Sequence, residues 1–228
     1  MLAFIIIIIA AYLLGSVPFG VLIASAHGID LRSTGSGNIG ATNVARALGR
    51  KWAYLCFFFD VLKGLLPMLI AKSLVHETNL ATLSLWLAAG CAAVIGHVFP
   101  VYLKFKGGKG VATSVGVILG LYPYYTLPGL IAFLVWLIFV FIWRYVSLAS
   151  IAASLAFPIA LIATISFNNN WHFTQLWPII IVALAMPLLV ILRHVENIKR
   201  LLEGSEAKIL QKVNCQLNYE STRNLKLG

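Results

Sequence analysis

The sequence predicts an all-α, polytopic membrane protein of about seven transmembrane helices, N-terminus outside and C-terminus cytoplasmic. Three observations carry that expectation. Only 11% of the 228 residues are charged and 61% are hydrophobic, whereas a soluble domain carries about 25% charged residues. Long stretches such as residues 2–26 hold no lysine, arginine or acid and reach the roughly 20 residues that cross a bilayer. The basic residues fall on alternate connections, the bias that marks cytoplasmic loops.

The first span covers 2–26. No positive residue precedes it and no small-residue cleavage site closes it, so it reads as a retained helix rather than a cleaved signal. The second, 51–75, contains Asp60 and Lys63 three residues apart. An ionisable group inside a membrane is a functional candidate by default, but these two can neutralise one another, which favours a structural pair that positions the neighbouring loop. The third covers 80–103. The fourth, 111–122, is too short to cross upright, so it is expected to be broken, re-entrant or matched by local thinning. The fifth, sixth and seventh cover 124–142, 146–167 and 176–192. None alternates apolar and polar residues as barrel strands do.

Of the 17 basic residues, all but Lys63 and Lys72 fall on one side if the N-terminus is outside. The net charge of +10 is then largely positive-inside bias, and no nucleic-acid partner is needed to explain it. Cys56, Cys91 and Cys215 are widely spaced and form no C-x-x-C, which argues against a disulfide scaffold and a zinc site. No internal repeat is evident. The whole chain, 1–228, reads as one integral membrane domain, with 207–228 as a peripheral cytoplasmic tail.

Three polar segments interrupt the apolar chain. The first, residues 35–46, supplies Gly35, Gly37 and Gly40 for close backbone approach. Ser36, Asn38, Thr42 and Asn43 offer neutral hydrogen bonds, and Arg46 a fork for phosphate. It contains G-x-G-x-x-G, but a nucleotide site of that type needs a preceding strand, and here a membrane helix precedes it. The plainer alternative is a loop capping the next helix, with Thr42 or Asn43 as the cap.

The second segment, residues 97–113, contains Lys104, Lys106, Gly107, Gly108, Lys109 and Gly110. It is not a Walker loop, because Leu103 replaces the first glycine and Gly110 the magnesium-binding hydroxyl. Uncovered backbone N–H groups beside ammonium groups, opening a helix, still suit an anion. A flexible positive-inside loop is the alternative, and His97 by itself reads as a packing histidine.

The third, residues 193–206, places His194, Asn197 and Leu201 on one helical face, and Glu196 four residues before Arg200. The competing reading is an amphipathic helix against anionic lipid. Arg144 and Ser147 lie at the same membrane side, where they either face the same site or form a simple turn.

In order, spacing and membrane setting, residues 35–46, 99–113 and 194–206 resemble the three signatures of the bacterial PlsY family, acyl-phosphate:glycerol-3-phosphate acyltransferases. The resemblance covers nearly all the chain except the tail beyond Lys208. It implies transfer of a fatty acyl group from acyl phosphate to the 1-hydroxyl of sn-glycerol 3-phosphate. The products are 1-acylglycerol 3-phosphate (lysophosphatidic acid) and phosphate, the entry to phospholipid synthesis at the cytoplasmic face of the bacterial inner membrane. It implies catalytic roles for Ser36, Lys109, His194 and Asn197. Substrate and phosphate binding are expected of Gly35, Gly37, Asn38, Thr42, Asn43, Arg46, Lys104, Lys106, Gly107, Gly108, Ser147, Arg200 and Glu206. No cofactor or metal is expected, and the chain is read as working as a monomer.

The residue chemistry is consistent with that implication. Two phosphorylated substrates need two anion sites, and apolar spans hold an acyl chain at about 0.8 kcal/mol per buried CH₂. A mixed anhydride releases phosphate readily, so direct attack suffices, and the proton acceptor is either His194 or a substrate phosphate oxygen. Five residues after His27, His76, His97, His172 and His194 stand Arg32, Ala81, Tyr102, Trp177 and Lys199. None completes the H-x-x-x-x-D of thioester-using acyltransferases. Two other classes compete: a transporter of phosphate or a phosphorylated metabolite, and a lipid-binding scaffold. A transporter predicts polar residues deep at mid-membrane and paired broken halves, neither of which fits basic groups gathered on one side.

Overall fold

The computed structural model describes residues 1–209; most of the 207–228 tail, with Cys215 and the basic residues Lys212, Arg223 and Lys226, lies outside them. The described residues form α-helices and a short 3-10 turn, with no strand among them. Six segments are long and apolar enough to cross a membrane: Leu2–Ser25, Arg50–Ser73, Leu80–Leu103, Thr126–Trp143, Val146–Phe167 and Phe173–Arg193. A shorter apolar helix, Val111–Gly120, accompanies them.

The first span departs from expectation. It is not one helix but two, α1 (Leu2–Ser16) and α2 (Phe19–Ser25), broken at Val17 and Pro18. Proline has no N–H to give the ladder and clashes with the preceding turn. The carbonyl left at Val17 is taken up by Lys63 Nζ, which donates to it at 2.8 Å. Lys63 also stands 2.8 Å from Asp60 Oδ1, so the two charges of the second span do pair, as their spacing suggested.

After α3 (Ala41–Leu48) come α4 (Arg50–Ser73), α5 (Leu80–Val98), α6 (Val111–Gly120), α7 (Thr126–Trp143), α8 (Val146–Phe167), α9 (Phe173–Arg193) and α10 (Val195–Leu202). The largest helix contacts are α1 with α5, α7 with α8, and α4 with α6. In lipid, small residues let helix backbones meet closely, and glycines do this here. A Cβ on Gly64 would overlap the Thr113 carbonyl, and one on Gly116 the Val61 carbonyl, which locks α4 to α6. Gly15 and Gly96 play the same part between α1 and α5.

The short fourth span now has a cause. Its 10 residues rise only about 15 Å, half the roughly 30 Å hydrocarbon layer. The loop before it dips into the bundle, where Gly108 and Gly110 are buried against His97, Val94 and Val98 of α5. The helix therefore starts inside the bundle, with Thr113 packed against Gly64.

Helix directions bring the loops before α3 and α6, the start of α8, and α10 to one end. At the other end Asn79 caps α5, accepting from the Thr82 N–H at 3.0 Å. There, Lys72 lies over the Trp86 and Tyr122 rings, an amphipathic side chain held by aromatic faces at the interface.

Candidate active site

The polar end is assembled around a carboxylate. Glu206, 8% exposed, accepts from Ser147 Oγ at 2.8 Å and from Asn197 Nδ2 at 2.7 Å, both on Oε1. Its Oε2 accepts from Arg200 Nε at 2.7 Å. Arg200 is therefore paired with Glu206, not with Glu196 as the helical spacing allowed, because the chain turns back after α10 at Gly204, which adopts φ +71. Glu206 ties the start of α8 to one face of α10, where Asn197 and Arg200 are neighbours at i,i+3.

With Asn197's amino group held by Glu206, its Oδ1 is free to accept, and it does so from Lys109 Nζ. The second and third polar segments meet through that bond. Arg46 reaches in from α3, where Nη2 donates to the Ala207 carbonyl at 3.4 Å. Lys109, Arg46 and Arg200 thus surround a single acid, leaving positive charge to be balanced by an anion.

That crowding sets the protonation states. Burial depresses the Lys109 ammonium to about 8, against the attraction of Glu206 and with help from Arg200 and Arg46. Burial also lowers the Arg46 guanidinium, with Glu206 opposing. For Glu206, burial alone would raise the carboxyl, but hydrogen bonds from Arg200, Asn197 and Ser147 outweigh it and the net shift is downward. His194, 2% exposed, is pushed down to about 4 by burial and by Lys109. Neutral His194 donates from Nδ1 to the Val190 carbonyl at 2.7 Å, which leaves the Nε2 lone pair available to a ligand.

The glycine-lysine loop is braced from behind. Gly107 and Gly108 N–H groups donate to the Val98 and His97 carbonyls at 3.2 and 3.1 Å. Their own carbonyls accept from Arg193, at 2.9 Å for Gly107 and 3.1 Å for Gly108, and Arg193 lies over the Phe99 ring. Arg193 was not among the sequence-derived site residues. Its place beside His194 at the end of the last span was a usable signal. Lys104 and Lys106 are exposed, and Lys106 contributes a carbonyl that accepts from Arg32 Nη2 at 2.7 Å.

In the first segment, Asn43 is 1% exposed and spends its amide on the loop. Its Oδ1 accepts from the Ser36 N–H at 3.0 Å, and Nδ2 donates to the Leu31 and Thr34 carbonyls at 3.1 and 2.9 Å. Gly35 sits at φ +61 with no room for a Cβ beside Asn43. Asn38 Oδ1 accepts from the Gly40 N–H at 2.9 Å. Gly40 is the N-cap of α3, so neither Thr42 nor Asn43 caps it. Thr42 and the Ser36 hydroxyl are exposed and available to a ligand. Between this loop and the glycine-lysine loop lies an open recess of about 300 Å³, lined by Arg32, Gly37, Ile39, Phe105, Lys106, Gly107 and Arg193. Of the Arg144–Ser147 turn, only Ser147 joins the cluster. Arg144 is exposed at φ 62, and its carbonyl accepts from the Ile209 N–H at 2.7 Å.

Comparison with known proteins extends this picture. The family model for glycerol-3-phosphate acyltransferase matches residues 5–204. The glycerol-3-phosphate acyltransferase of Geotalea daltonii is 48% identical over 203 residues, covering 89% of this chain and 95% of that one. The Aquifex aeolicus protein of the same name is 47% identical, covering 88% and 96%. Among solved structures, PlsY (YgiH), an integral membrane glycerol 3-phosphate acyltransferase, superposes in its glycerol 3-phosphate form with TM-score 0.78. That match has 43% identity and covers 91% of this chain and 96% of that one. Its lysophosphatidic acid form gives TM-score 0.76 at 42% identity, covering 90% and 95%.

Proposed function

The chain belongs to the glycerol-3-phosphate acyltransferase family, of the PlsY type, and on that premise we propose that its acyl donor is acyl phosphate. The 1-hydroxyl oxygen of sn-glycerol 3-phosphate attacks the acyl carbonyl carbon, the bond from that carbon to the phosphate oxygen breaks, and phosphate leaves. The hydroxyl proton passes to a phosphate oxygen or to His194 Nε2. The products are 1-acylglycerol 3-phosphate and phosphate, made at the cytoplasmic face of a bacterial inner membrane by a monomer.

The observation that carries this reading is the gathering of Lys109, Arg46 and Arg200 around one carboxylate to which, of the three, only Arg200 is directly bonded, which leaves excess positive charge where two phosphates must be held. The protein supplies alignment and charge cancellation rather than a covalent intermediate. Lys109 and Arg46 bind phosphate, and Asn197 orients Lys109. Ser36, Thr42 and the backbone N–H groups of the first loop hold substrate oxygens, with Lys104, Lys106 and Gly37 at the entrance. Glu206, Ser147 and Asn43 keep these groups in register.

The donor is tested by offering the purified protein palmitoyl phosphate or palmitoyl-coenzyme A, each with glycerol 3-phosphate. Lysophosphatidic acid is expected from the phosphate donor alone. Equal product from the thioester overturns the donor assignment.

A further inference from the structure

Beneath the glycine-lysine loop lies a buried ionisable group that the chemistry above does not use. Asp60 and Lys63 are each 2% exposed, 2.8 Å apart, and set among apolar helices. His97, 3% exposed, joins them from α5 with Nδ1 3.6 Å from Asp60 Oδ1, outside hydrogen-bond reach. His97 Nδ1 makes no hydrogen bond among the described residues, while Asp60 Oδ1 has the Lys63 ammonium as its ion-pair partner. Ionisable groups at such depth are costly.

The two edges of the His97 ring face different things. Nδ1 looks toward Asp60. On the other edge, the three nearest atoms to a Cβ built on Gly108 are Nε2, Cε1 and Cδ2 of His97, the first two closer than real Cβ contacts come and the third tight. The His97 backbone completes the support, its carbonyl accepting the Gly108 N–H at 3.1 Å. One residue therefore stands between the buried acid and the residue preceding Lys109.

We propose that Asp60 and His97 are positioning residues for the glycine-lysine loop. Asp60 lies against one edge of the imidazole at 3.6 Å and the other edge is the floor on which Gly108 rests, so that together they set the height at which Lys109 meets its anion. What the loop does rests on the acyltransferase reading; how it is held does not.

Two experiments test this. In a double-mutant cycle, Gly108→Ala alone is expected to lower kcat/KM for glycerol 3-phosphate by about tenfold or more, since small displacements at a reacting centre are costly. In the His97→Ala background the same change should lose less than about twofold, because the added methyl group then has room. Recovery of folding, where Gly108→Ala alone does not fold, counts the same way. Equal losses in both backgrounds, or no folded double variant, overturn the proposal.

The second readout does not depend on turnover. Asp60→Asn should speed amide exchange in the peptide covering 105–110 by about tenfold while leaving 80–90 unchanged, since local opening is confined to what a contact holds. Uniform acceleration along the chain would mean a merely structural acid and overturns the assignment. If Asp60→Asn does not fold, the Gly108–His97 cycle decides. Wild-type protein that makes product but shows no coupling defeats this inference alone. Wild-type protein that makes none defeats the acyltransferase reading, and the exchange result still judges the loop.

Discussion

Lys109 Nζ donates a hydrogen bond to Asn197 Oδ1, joining two segments 88 residues apart in sequence at one point in the polar end. Asn197 is itself fixed by Glu206, so the ammonium group is aimed without being neutralised. A lysine paired directly with the carboxylate would have less charge to offer a phosphate. An amide between them orients the cation and preserves its charge.

Removing that charge should be severe. Lys109→Gln is expected to lower kcat/KM for glycerol 3-phosphate by about hundredfold or more, the range seen when a preorganised charge-stabilising group is lost. Steady-state kinetics with both substrates varied measures it.

The same residue sets an alkaline limit. Burial holds Lys109 at about 8 in the empty site, and only a protonated ammonium would attract a phosphate. In the free enzyme, kcat/KM should therefore fall as pH rises through about 8, with Lys109 adding no further pH dependence below it. Lys109→Arg, if active, should move that limb upward by two pH units or more, as a guanidinium holds its proton above about pH 12.

His194 should leave no mark on the acid side. With its imidazole pushed down to about 4, it stays neutral from pH 5.5 to 8. Any limb near pH 6 then belongs to a substrate phosphate, whose second pKa is about 6. His194→Ala is expected to lose about ten- to hundredfold through lost positioning with the acid limb unmoved. Disappearance of that limb in the variant would make His194 the titrating base.

Glu206→Gln tests the anchor. It strips charge-assisted bonds from Arg200, Asn197 and Ser147, each worth about 1.5–3 kcal/mol when a charge is involved, and should lower the thermal midpoint in detergent. The sign with pH is fixed: a carboxyl whose folded-state pKa lies below its unfolded value stabilises above that value and loses the contribution as pH falls. Wild-type and variant should therefore begin to converge as pH falls below the ordinary glutamate value of about 4.3, and meet once pH has passed the lower folded-state value.

Gly116→Ala probes the fold rather than the chemistry. Its methyl group would overlap the Val61 carbonyl, and overpacking of this kind costs about 1–3 kcal/mol. Loss of monodisperse protein in detergent, with Val117→Ala milder, is the expected result.

Much of this was legible from sequence because hydropathy and charge act at long range along the chain. The spans emerged within a few residues, and the three polar segments did gather at one end. What stayed hidden depended on single contacts. Pro18 was a readable break that the unbroken hydropathy of residues 2–26 masked. Arg200 was expected opposite Glu196 by helical spacing, but the turn at Gly204 returns Glu206 to it. Asn43 read as a ligand donor, whereas burial gives its amide to Leu31, Thr34 and Ser36. Spacing identifies which residues share a face; it does not say which neighbour the chain folds back to provide.

Every role proposed for this site turns on acyl transfer from acyl phosphate to glycerol 3-phosphate. Its most direct test is phosphate release by purified, detergent-solubilised protein supplied with palmitoyl phosphate, with and without glycerol 3-phosphate. Release is expected only when glycerol 3-phosphate is present, with one lysophosphatidic acid formed per phosphate. Release that ignores glycerol 3-phosphate, or no release from folded protein, would contradict it.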